Sequence, residues 1–165
     1  MRSSENNFSK ISLAKILSVT IVVTVMAVNT QFSIAVHIMA ALAHRCGDKD
    51  ITSGDLAASV NTSPSFVRRV LARLSKSGLV ETTMGKSGAC ALAREPKDVS
   101  LLDIYRAVGA PKAFSIHDYN EQKACAVSCR IKQALEKALD KTQTAMESGL
   151  ADISLKQIVS DMRRN

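Results

Sequence analysis

The chain has 165 residues and a mass of 17.7 kDa, enough for one domain with an appended helix, and its 46% apolar content supplies a core. With no tryptophan and 4% aromatics, that core must be built from aliphatic residues and alanine. The formal charge of +7 and a pI near 9.4 favour a polyanionic partner, while no nucleotide-binding loop and no Ser-His-Asp arrangement can be placed, so the chain is expected not to be an enzyme.

The chain opens with Arg2, Lys10 and Lys15, followed by an apolar run at 16–28 that is too short for a comfortable membrane span. A basic start before an apolar run also imitates a secretory signal. Residues 1–28 therefore form an N-terminal extension with three open readings: sequence upstream of the natural start, an extra helix or membrane-surface segment, or an export signal. Beyond it, Phe32, Ile34, Ala35, Ile38, Met39 and Leu42 recur on one broad face, which predicts a first helix packed behind the elements that follow. His37 on that helix is expected at its surface or boundary.

The segment 52–74 predicts two short helices joined by a tight turn. Thr52 can cap the first, with Asp55 three residues later completing an approximate capping box, and Leu56, Ala57 and Val60 give it a small apolar side. Asn61 suits a left-handed turn residue, Ser63 caps a second helix, and Pro64 takes its first position. Val67, Val70, Leu71 and Leu74 then recur on a core-facing side, while Ser65, Arg68, Arg69, Arg73 and Lys76 fall largely on the other faces, and Gly78 ends the helix. A helix held by its apolar side with guanidinium groups outward can enter the DNA major groove. An ordinary amphipathic helix with a solvated basic face is the plainer alternative. Between His44 and Arg94 eight Lys/Arg oppose four Asp/Glu, a surplus of four out of the net +7, so the excess charge concentrates around these helices.

After Gly78 the period changes. Residues 79–83 look like a strand, 85–88 like a loop and 89–93 like a return strand, with Lys86 and Ser87 at the loop tip. A hairpin directly after such a helix reads as a wing whose basic tip can approach a phosphate or the minor groove. The expected fold class is therefore mainly α with a small β-hairpin wing: a winged helix-turn-helix domain plus a long C-terminal dimerisation helix.

The helix-turn-helix, the Gly78-Leu79-Val80 strand entry, the wing loop at 85–88 and the segment 99–108 together resemble the Rrf-two family of bacterial winged-helix transcription regulators, over residues 29–162. That family includes repressors of cysteine metabolism, nitric-oxide response and iron–sulfur assembly. The resemblance implies a cytoplasmic homodimer on a partly palindromic double-stranded DNA operator. It places Ser63, Ser65, Arg68 and Arg69 at the start of the recognition helix and Lys86 and Ser87 at the wing tip. It also favours Met26 as the natural start, since the family begins where Met26 and its successors stand. Two departures stand out: Ala89 and Cys90 replace the usual second glycine and aromatic residue of the wing, and only Cys125 and Cys129 occupy the segment where the iron–sulfur members carry three cysteines.

The expected organisation is a winged helix-turn-helix domain at 29–112, a connecting loop at 113–125, and a dimerisation helix with C-terminal tail at 126–165. Val127, Ile131, Leu135, Ala138, Leu139, Thr142 and Met146 form a stripe at spacings of three and four, with Lys132, Glu136, Lys137, Asp140 and Lys141 on the opposite face, read as solvated rather than paired. A helix over about 125–148 would exceed ~30 Å, longer than a small winged domain needs, so Ile131, Leu135, Leu139 and Met146 are candidates for contact with a second copy. Leu155, Ile158, Val159 and Met162 read as the inward side of a short tail helix.

Cys46 and Cys90 are isolated and read as small packing residues. Cys125 and Cys129, four apart, would share a helix face near its start, beside Lys123 and Arg130, a setting that favours thiol reactivity. Three readings stay open for the pair: inert thiols, a redox or electrophile switch, or a metal or iron–sulfur site. The last would need more ligands, such as His117, Asp118 or a residue from a partner chain, so no cofactor and no metal residue is assigned. A dimeric DNA-binding repressor, modulated by thiol chemistry, is the leading functional reading. A membrane- or protein-interacting sensor module and a metal-dependent regulator are the alternatives, and no membrane partner is expected.

Overall fold

The computed structural model describes residues 30–44, 50–83 and 88–164. The extension at 1–28, Met26, Cys46 and the wing-tip pair Lys86 and Ser87 lie outside the described residues.

A first helix, α1, covers 30–44 and buries Ala35, Ile38, Met39, Ala40, Leu42 and Ala43, while Phe32 and Ile34 pack at its edge. Strand β1 (Ile51–Thr52) leads into α2 (Ser53–Val60), a turn, and α3 (Pro64–Lys76). Strands β2 (Val80–Thr82) and β3 (Ala89–Leu92) form the hairpin, a 3-10 turn covers Pro96–Asp98, and α4 (Leu101–Ala107), α5 (Ala126–Ala151) and α6 (Leu155–Met162) complete the chain.

Local chemistry accounts for most of these boundaries. The Thr52 hydroxyl accepts from the Asp55 amide, and the Asp55 carboxylate accepts from the Thr52 N–H at 2.9 Å, a reciprocal capping box. Asn61 ends α2 at φ 54°, and its amide carboxamide side chain is of the type that tolerates this left-handed setting. Ser63 caps α3 through the Phe66 amide and Pro64 follows it; Gly78, at φ +67°, turns the chain out of α3 into the hairpin.

The sheet has three strands in the order β1-β3-β2, one more than the hairpin expected from the sequence. Two residues carry no readable alternation, so β1 became apparent only where Ile51 pairs with Cys90 and Thr52 with Ala89. This pairing welds the entry to α2 onto the wing.

The C-terminal helix α6 belongs to the same core. Leu155 and Val159 are buried, and Ile158 packs against them. Ser100 and Ser154 face each other in an antiparallel bridge, with Leu101 N–H donating to the Ile153 carbonyl (2.9 Å) and Leu155 N–H to the Val99 carbonyl (2.8 Å). Each serine then caps its own helix with a capping box, so one backbone bridge starts α4 and α6 side by side. Met162, expected inward, is instead 55% exposed, because it lies on the last turn, beyond the end of the core that covers Leu155 and Val159.

Asp103 closes the capping box of α4. Partial burial pushes its carboxyl upward, but the Ser100 hydroxyl and amide, with Arg94 and Arg106 nearby, outweigh that and hold it below the ordinary range. Its contribution to stability is therefore present above the pKa of the unfolded chain and fades as pH falls through the lower folded value. Asp103→Asn should flatten the loss of stability below about pH 4, measured by urea unfolding across pH. Leu155→Ala should cost about 2–5 kcal/mol, read as a shifted urea midpoint at unchanged slope.

Candidate nucleic-acid interface

The site is built on α3. Val67, Val70, Leu71 and Leu74 are buried against the core, which sets the rotation of the helix. Ser63, Ser65, Arg68 and Arg69 are exposed on its first two turns. The two serine hydroxyls lie 3.1 Å apart, and the Arg69 guanidinium carbon sits 5.3 Å from the centre of the Phe66 ring. Phe66 itself is half-buried at the edge of the core. Sequence reading omitted Phe66 from the site, although its position three residues before Arg69 was the available signal.

Arg68 faces the other way, toward the wing. Together with Ser53, Leu71, Ala72, Thr82, Thr83, Gly88 and Cys90 it lines an open cleft of about 370 Å³ between α3 and the hairpin. Burial pushes the Cys90 thiol upward in pKa, and the residue is paired on both sides in the sheet. It is the packing residue the sequence suggested.

Arg73 is placed differently from its neighbours. Its Nη1 donates to the Val108 carbonyl at 2.6 Å, so this guanidinium ties α3 to the C-terminal end of α4 instead of standing free over the exposed face. The reason is geometric: Arg73 lies a turn beyond Arg69, where α4 passes and presents a carbonyl at its end.

Behind the interface, a polar strap joins α4 to the long helix. Arg106 pairs with Glu147 at 2.9 Å and Lys112 with Asp140 at 2.7 Å, so Asp140, expected to be solvated, is paired. Gln143 accepts from the Ala113 amide and donates to Glu147, and the Tyr105 hydroxyl donates to the Pro111 carbonyl. Hydrogen bonds from Gln143 and then Arg106 hold the Glu147 carboxyl below its ordinary range. The α5 stripe is incompletely covered in a single chain: no residue of α5 is buried, Leu135, Leu139 and Met146 are half-buried, Ile131 is 37% exposed and Val127 67%.

Of the cysteine pair only Cys129 lies within the helix. Cys125 is the N-cap, its Sγ accepting from the Ser128 amide, while Cys129 lies inside α5 and its thiol donates to the Gln122 carbonyl. Both are exposed. His117 stacks on Tyr119, whose hydroxyl donates to the Ser128 carbonyl, which folds the connecting segment back onto this first turn.

A family model described as Rrf2, iron-dependent transcriptional regulator, matches residues 28–161. The helix-turn-helix transcriptional regulator YwnA of Bacillus subtilis (strain 168) is 35% identical over 136 residues, covering 82% of this chain and 98% of its own. A crystal structure of a protein described as DNA-binding superposes with a TM-score of 0.63 at 33% identity, over 78% of this chain and 97% of that one. A transcriptional regulator from Lactobacillus plantarum gives a TM-score of 0.69 at 25% identity, over 81% and 89% of the two chains.

The described residues do not fit the iron that the family description mentions. Among them no group of three or more His, Cys, Asp and Glu is placed to hold a metal ion, and the thiols of Cys125 and Cys129 are each turned to a partner in the local backbone.

Arg73→Gln should lower the unfolding free energy by about 1 kcal/mol through the lost bond to Val108. Salt-titrated DNA binding of this variant should keep the wild-type slope, in contrast to changes at a phosphate-contacting arginine.

Proposed function

Since the chain belongs to the Rrf2 family and is a helix-turn-helix transcriptional regulator, we propose that it acts as a homodimeric repressor in the cytoplasm, holding two copies of α3 on successive major grooves of a partly palindromic operator. The observation that carries this reading is the pair Arg68 and Arg69, exposed on a helix whose opposite side is buried. Ser63, Ser65 and the wing-tip residues Lys86 and Ser87 would contact the sugar–phosphate backbone beside them.

The incompletely covered stripe of α5 supports the dimer. At 26 residues this helix is about 39 Å long, comparable with the ~34 Å between successive half-sites. Ile131, Leu135, Leu139 and Met146 would meet the same residues of a second copy, and the strap from Tyr105, Arg106 and Lys112 to α5 would then fix the spacing of the two reading helices.

Cys125 and Cys129 would supply a signal input at the base of α5. Hydrogen peroxide would take two electrons and two protons from the two thiols, leaving a disulfide and two waters, and the disulfide would pull the N-cap against the first turn.

With purified full-length protein and an operator obtained by binding-site selection, replacing both Arg68 and Arg69 by alanine should abolish operator binding while sedimentation still reports a dimer. Each good base contact is worth about 1–3 kcal/mol; unchanged affinity would remove α3 as the reading helix. Leu139→Glu should give a monomer with sharply weakened operator binding. Peroxide should change operator affinity of the wild type and leave the Cys125→Ser, Cys129→Ser double variant unaffected. An equal response in the double variant would exclude these two thiols as the sensor.

A further inference from the structure

The two adjacent arginines of α3 have different surroundings, and the difference assigns them different tasks. Successive residues on a helix are turned by about 100°, so Arg68 and Arg69 leave α3 in different directions. Arg68 borders the cleft to the wing, among the hydroxyls of Ser53, Thr82 and Thr83. Leu71, Ala72 and Cys90 complete the lining, so among the described residues Arg68 is the one cation of this cleft, and a guanidinium beside the wing suits a phosphate contact, which needs no base-specific geometry. Arg69 instead lies against the face of Phe66 at 5.3 Å, within the range of a cation–π contact.

A guanidinium resting on an aromatic face keeps its N–H fork free at the edge, while the long side chain behind it is already ordered. Ordering before binding removes part of the entropy cost of the contact. In the major groove only guanine offers two acceptors, O6 and N7, spaced for that fork. Arg69 is the sixth residue of α3, within the N-terminal half of the helix that approaches base edges in this class of motif.

We propose that Arg69, pre-oriented by Phe66, reads a guanine in each half-site, that Phe66 is thereby a positioning residue for sequence specificity, and that Arg68 holds the DNA backbone at the wing cleft. This assignment rests on the DNA-binding reading above. It predicts a recognition code that differs between two neighbouring residues of the same type.

The experiment is a binding-site selection with the full-length wild type, followed by affinity measurements for symmetric operators with each base pair changed in turn, at several salt concentrations. Wild-type protein without any sequence preference would overturn the DNA-reading function itself. Given a preferred site, Arg69→Lys should lose preference at one guanine per half-site, because an ammonium has no planar fork. Arg68→Lys should leave the base preference intact, and Arg68→Ala should weaken all sequences alike and reduce the salt slope by about two, one for each half-site.

Phe66→Leu should lower preference at the same guanine by about 2- to 5-fold per half-site, the range of an exposed cation–π contact. Phe66→Tyr, which keeps the ring, should restore it. Phe66→Leu combined with Arg69→Ala should be no less selective at that position than Arg69→Ala alone. A uniform loss across all sequences in folded Phe66→Leu would overturn the positioning role, as would a shift of base preference in Arg68→Lys. Should Phe66→Leu fail to fold, Phe66→Met, which keeps apolar volume without a ring, replaces it with the same expected loss at that guanine, and an unchanged preference in folded Phe66→Met would overturn the positioning role.

Discussion

Four aliphatic residues of α3, Val67, Val70, Leu71 and Leu74, are packed into a core supplied by α1 and α2, and once they are seated the helix has only one angular setting. Each buried side chain of this size contributes about 1.5–3 kcal/mol relative to exposure. Rotating α3 by a single residue would exchange apolar contacts for arginine, at a cost no surface interaction could offset. The direction of Arg68 and Arg69 is thus set from behind, by residues that never meet a ligand. The lack of large aromatics in the core is consistent with this design: α2 offers Leu56 and Ala57, small enough for α3 to approach closely.

The same core is closed from the C-terminal side. The bridge between Ser100 and Ser154 starts α4 and α6 together, and Leu155 enters the cluster that includes Ile104 and Val108. Arg73 then joins α3 to the end of α4, and the strap from α4 continues through Gln143 and Glu147 into α5. A displacement of α5 therefore has a continuous route of hydrogen bonds to α3. The exposed ion pairs in that route are individually weak; Gln143, which engages the Ala113 amide, Tyr105 and Glu147 together, is better placed to transmit a change in geometry.

The sequence revealed those features in which one residue type has one local use. Thr52 with Asp55, Ser63 before Pro64, Asn61 and Gly78 marked the boundaries of the two helices, and the periodic valines and leucines marked their buried side. It was less informative wherever a partner lay far along the chain. Ile51 and Thr52 are too few to alternate, so β1 emerges only from its pairing with β3. Arg73 carries the same charge as Arg68 and Arg69, and only the path of α4 separates its role from theirs. Met162 continues the spacing of Leu155 and Val159, but periodicity does not state where a core ends. Cys125 and Cys129 have helical spacing, yet the helix begins between them, which turns one thiol into a cap.

The position of that helix start bears on how a chemical signal could act. Cys125 is the point at which the connecting segment becomes α5, and Tyr119 and Gln122 both fold back onto Ser128 one turn inside. Bonding changes at the cap would act on the hydrogen bond from the Ser128 amide to the Cys125 sulfur, at a helix terminus where one such bond more or less alters local helix stability by about 1 kcal/mol. Cys90, by contrast, is buried in the middle strand of the sheet, so its thiol is less accessible than those of Cys125 and Cys129 although it borders the wing cleft. The described cysteines are thus divided between two places, a buried one beside the wing and an exposed pair at the base of the long helix.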